Sequence, residues 1–196
     1  MTLSNFAEPQ KQLFWGNLLL VICCAFYLVW WLLAFRLNSP IKGIKSGWIL
    51  IPAGAAGIAA VALLVRGILA STMKPSLFPT SWVVWGGIAA YVLLFAVTLV
   101  LLHRPVTTEL LLIIGWAMVA LAEVNALYGT GQFSHLAAVV CVIIILAALM
   151  ICLACYTVYY KLSGFAAYID GMIPLILAAL IMAGISFAMA APWKTS

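Results

Sequence analysis

Apolar runs long enough to cross a membrane alternate along this chain with short polar clusters. Six such runs occur, at about 13–35, 48–70, 81–102, 107–128, 133–160 and 165–191. Roughly 20 residues of helix cover a hydrocarbon core of about 30 Å. The pattern therefore predicts an all-α, polytopic integral membrane protein: a single transmembrane domain over residues 1–196, built as a bundle of six transmembrane helices. The breaks between runs carry the usual turn chemistry. Asn38-Ser39-Pro40 stops the first helix, Lys74-Pro75 and Phe78-Pro79 mark a turn before the third, and His103-Arg104-Pro105 ends that one. Thr107 or Thr108 caps the fourth helix, and Glu109 sits in its first turn, where the positive helix end favours an acid. Gly129-Thr130-Gly131-Gln132 is a tight turn without charge, and Ser163-Gly164 starts the last helix. The fifth run is longer than a bilayer needs, which predicts tilt or a protruding end.

Composition supports the same reading. The chain is 68% hydrophobic and 7% charged, against about 25% charged in a soluble domain, so its solvent is a lipid bilayer. The net charge of +5 does not indicate nucleic acid, because most basic residues flank the apolar runs and none forms a patch interleaved with aromatics. Trp15, the Trp30-Trp31 pair, Trp82 and Trp85 stand near run ends, as interfacial anchors do. The first run is too long for a signal peptide, so no cleaved leader is expected. With six spans both termini share a side. Arg36, Lys42, Lys45, Arg104 and Lys161 then face Lys11, Lys74 and Lys194 across the membrane, five against three. The positive-inside rule puts the termini outside and loop 36–47 in the cytoplasm.

Within the second run, Ala53, Gly54, Gly57 and Ala60 form a small-residue face that lets another helix approach closely. It is the expected contact for a partner membrane subunit or a second copy of the chain.

Polar residues inside the runs are the candidate chemistry, since ionisable groups in hydrocarbon are costly. Tyr168-Ile169-Asp170-Gly171-Met172-Ile173-Pro174 places an acid, a glycine and a proline in one span. Pro174 has no N–H, so the carbonyl of Asp170 loses its usual partner four residues on. Asp170 is the leading candidate for reversible proton or cation binding. Glu109 lies toward the same side, nearer the surface, and reads first as a helix-start residue. Toward the terminus side, Asn17, Arg66, Glu123 and Asn125 reach similar depth and are expected to form a second cluster, with an Arg66–Glu123 ion pair. The structural alternatives are an Arg66 that snorkels to the headgroups and an Asp170 held in a fixed pair.

Other chemistry is not supported. Cys23, Cys24, Cys141, Cys152 and Cys155 all fall inside apolar runs and read as small hydrophobes. The Cys152-x-x-Cys155 spacing lacks the two further ligands a zinc site needs. His103 and His135 lie on opposite sides, which argues against a haem or a shared metal. With no hydrolase elbow, metalloprotease motif or P-loop, no metal or cofactor is expected, and a third class, a membrane enzyme acting on lipid or quinone, would need a nucleophile or acid pair that these residues do not assemble. The function these features favour is a small membrane carrier, or a substrate-binding membrane subunit, for an ion or small solute. The alternative is an accessory or assembly protein that packs against a partner through the small-residue face.

Overall fold

The computed structural model describes residues 7–34, 46–71, 76–100, 103 and 108–190. Among these it is all-helical, with six helices long and apolar enough to cross a membrane: α1 (Glu8–Ala34), α2 (Leu50–Ala70), α3 (Thr80–Val100), α4 (Thr108–Gly129), α5 (His135–Val158) and α6 (Gly164–Ala190). Short 3-10 turns at Ser46–Ile49 and Tyr159–Lys161 precede α2 and α6. Loop residues Lys42 and Lys45, with Arg36, Lys74, Arg104, Thr107 and Lys194, lie outside the described residues.

One boundary differs clearly from the hydrophobic pattern. α1 begins at Glu8, not near residue 13. The polar start is helical because Gln10 Oε1 accepts the Ala7 N–H at 3.0 Å, closing the first turn, and Lys11 Nζ pairs with Glu8 Oε1 at 2.8 Å. Hydropathy marks where a helix enters lipid; capping marks where it starts. The α4–α5 turn is equally explicit. Gly131 takes φ +74°, its N–H bonds to the Tyr128 carbonyl at 3.0 Å, and Gln132 N–H reaches the Leu127 carbonyl at 2.9 Å. This Schellman closure needs a left-handed residue, which glycine supplies without strain. Ser134 Oγ then accepts the Ala137 N–H at 3.3 Å and caps α5.

The chain divides into two compact units. The first comprises α1, α2 and α6 with both 3-10 turns; the second comprises α3, α4 and α5. In the first unit α1 and α2 pack antiparallel at close range. As numbers rise along α1 they fall along α2: Leu13 meets Gly67, Gly16 meets Leu64, and Cys23 meets Gly57. A Cβ on Gly67 would come within 2.8 Å of Leu13, and one on Gly16 within 2.7 Å of Leu64. The glycines thus set the interhelical distance. α6 packs on α1 at Trp31, which meets Tyr168 and Gly171.

In the second unit, Leu110 and Ile114 of α4 and Tyr156 of α5 form a buried cluster flanked by Tyr91 and Leu94 of α3. α3 touches α4 where Gly87 lies under Met118, and of the α3 side chains only Thr98 is buried. Its exposed apolar residues, including Trp82, Trp85, Val92 and Leu93, suit contact with lipid tails.

Candidate functional site

The Asp170 segment lies in the second and third turns of α6, and α6 continues through Pro174. A proline inside a helix removes one backbone bond and crowds the preceding turn. The structure shows what borders that turn. Trp31 of α1, only 6% exposed, donates its indole Nε1–H to the Tyr168 carbonyl at 3.1 Å. The six-membered side of the same indole lies so close to Gly171 that a Cβ there would collide with it. The Tyr159 ring lies 6.1 Å from Trp31, centroid to centroid. Asp170 sits between the two contact points in sequence. Its Oδ2 is closed off from solvent and has no hydrogen-bond partner among the described residues.

The sequence pattern read Trp31 as an interfacial anchor, and this is corrected by its burial. An anchor keeps its N–H in the headgroup layer, whereas this N–H is spent on a helix carbonyl. The available signal was Gly171: a glycine beside an acid and before a proline marks a place where a bulky group can approach the backbone.

Carboxylate and freed carbonyl do not combine as simply as the sequence suggested. Side chains on a helix lean toward its N-terminus, while carbonyls point toward its C-terminus. The carboxylate of Asp170 and its own carbonyl therefore diverge, and they offer two separate acceptors along α6.

The second candidate region is in α4. Glu123, Val124, Asn125, Ala126 and Leu127 are all fully buried. Asn125 is engaged at both ends of its amide: Oδ1 accepts the Leu77 N–H at 2.9 Å, and Nδ2 donates to the Phe78 carbonyl at 3.0 Å. One side chain thus completes the backbone of the turn that leads into α3. Local pattern does not reveal this lock, because its partners lie 48 and 47 residues away.

Asn17 is fully buried on α1, and Arg66 is exposed near the end of α2. On an exposed helix face a guanidinium reaches toward headgroups along its own stem. Both belong to the first unit, whereas Glu123 and Asn125 belong to the second. Glu109 is exposed in the first turn of α4. Cys152 and Cys155 are buried in α5 as free thiols. Among the described residues no three His, Cys, Asp or Glu side chains group together as metal ligands.

Comparison with protein-family models, with curated proteins and with solved structures finds no match to this chain.

Proposed function

We propose that this protein is a small membrane carrier or substrate-binding membrane subunit for an ion or small solute, with Asp170 as the group that binds. The observation that carries this reading is the Asp170 carboxylate, whose sealed Oδ2 has no donor among the described residues. An acid in a membrane helix is expensive unless something compensates it. A carboxylate that serves packing normally has its donor within the fold; one that serves binding leaves that place for a ligand. Pro174 fits the same reading, because it frees the Asp170 carbonyl as a second acceptor next to the carboxylate's turn while α6 stays helical.

The accessory-protein reading loses part of its support. Ala53 and Ala60 are buried, and Gly57 faces Cys23 of α1, so most of the small-residue face is used within the chain. Of the four residues, Gly54 alone is exposed with open space around it. A partner subunit or second copy would therefore need a different surface.

The test is Asp170→Asn in proteoliposomes carrying, in turn, sodium, potassium and proton gradients. The substitution keeps shape and removes charge. Ion-dependent flux or binding should be abolished while the protein still inserts. Unchanged flux in this variant would overturn the reading. Orientation is part of the proposal: the termini outside, the loop 36–47 cytoplasmic. An impermeant thiol reagent on intact cells should label a cysteine introduced at Thr195 and spare one at Gly43, and the reverse pattern would invert the topology.

A further inference from the structure

The geometry points to Trp31 as the positioning residue of the Asp170 site. α6 is weakened where Asp170 sits, since Pro174 cannot donate to the Asp170 carbonyl and its ring disturbs the preceding turn. A turn that has lost an internal bond needs an external one to hold a defined place, and Trp31 supplies it. Its indole N–H takes the Tyr168 carbonyl at 3.1 Å, two residues before the acid. Its ring rests on Gly171, the residue after the acid, at a distance only glycine permits. Contacts thus bracket Asp170 from both sides in sequence, and both come from one buried side chain of the neighbouring helix.

Packing on α1 reinforces the assignment. Trp31 is itself held, with the Tyr159 ring 6.1 Å away and the Trp30 ring at 6.4 Å. An indole fixed in this way transmits position, because it has few ways to relax. The Tyr168 carbonyl has a second lone pair free for this bond even while Met172 N–H uses the first. Trp31 acts through Asp170 and does not itself touch the ligand. It sets where the Asp170 turn stands relative to α1, and the identity of the ligand is left to Asp170.

This inference rests on the reading of Asp170 as the binding group, but the two fail separately. Flux in Asp170→Asn tests that reading. The present test is the rate at which a hydrophobic carbodiimide modifies Asp170 in the full-length protein, followed by peptide mass spectrometry, with the exposed Glu109 as internal control. Trp31→Phe keeps a ring beside Gly171 and removes the N–H. It should speed modification of Asp170 by about fivefold, the factor a single neutral hydrogen bond controls, and leave Glu109 unchanged. A rate within twofold of wild type, or an equal change at Glu109, overturns the proposal.

A second measurement avoids any loss of folding in Trp31→Phe. The protein has eight tryptophans, and the 15N–1H indole resonance of Trp31 is assigned as the one missing from Trp31→Phe or, if that variant does not fold, from Trp31→Tyr. This resonance should move in Asp170→Asn more than the other seven. A Trp31 resonance that stays in place while another moves overturns the assignment.

Discussion

Asn125 in α4 and Asp170 in α6 are both polar residues inside membrane-spanning helices, and the fold treats them in opposite ways. Asn125 is fully buried, and both ends of its amide are matched to backbone groups of Leu77 and Phe78. Asp170 is partly exposed, in a helical turn that loses one backbone bond to Pro174, and its sealed Oδ2 meets no donor among the described residues. Polarity alone does not mark a functional residue. A polar group whose bonds close within the chain stabilises the fold, and one whose bonds stay open is available to a ligand. On this criterion Asn125 belongs to the scaffold, and Asp170 fits the binding role proposed for it.

The largest effect that would break this contrast is expected at Asn125. Asn125→Leu strands the Leu77 N–H and the Phe78 carbonyl, each at a cost of about 1–3 kcal/mol. Unfolding in detergent should show a loss of about 2–6 kcal/mol, with ligand-dependent behaviour at Asp170 intact in the folded fraction. Asn125→Asp keeps an acceptor for Leu77 and should fall between wild type and Leu. If Asn125→Leu instead abolished binding at full stability, the two residues would exchange roles.

A smaller effect is expected at Gly171, where a methyl group would press on Trp31. Gly171→Ala should cost about 1–3 kcal/mol as overpacking, and Trp31→Phe in the same chain should recover little of it, since the phenyl ring still occupies the space. Gly54→Ala is the matched control. Its Cβ meets nothing within 4 Å, so the usual helix preference for alanine should raise stability by about 0.5–1 kcal/mol. Thermal unfolding of both variants decides the matter: equal shifts of the same sign would mean that the close approach at Gly171 does not constrain the turn.

Much of this architecture was legible in the order of residues. Every span was, because hydrocarbon thickness imposes a length that no soluble helix must obey, and the ends at Gly131 and Gly164 carry their turn chemistry openly. The α1–α2 packing was half legible. Ala53, Gly57 and Ala60 announced a close helix contact, but the pattern could not say that α1 would fill it. Two features stayed hidden for a shared reason. Trp31 to Tyr168 and Asn125 to Leu77 are pairings across long stretches of chain, and each turns on one hydrogen bond whose partner is a backbone atom. Backbone atoms are identical at every residue, so sequence leaves no mark on them. Asp170 stood out for the opposite reason: its proline and its glycine are adjacent, and both act on the backbone locally.

The smallest effect on stability should come from the residue with the largest expected effect on function. Asp170→Asn removes a charge that no donor among the described residues compensates. Taking away a partly buried, uncompensated charge relieves a desolvation penalty, while the amide that replaces it has almost the same volume and retains one acceptor oxygen. The two changes oppose each other, so the unfolding free energy should stay within about 1 kcal/mol of wild type, with any shift toward greater stability. Chemical unfolding at fixed detergent composition measures this directly. A loss of about 3–5 kcal/mol would have the size expected when one partner of a buried ion pair is removed. Asp170 would then be a scaffold residue like Asn125, and the contrast between the two helices would disappear.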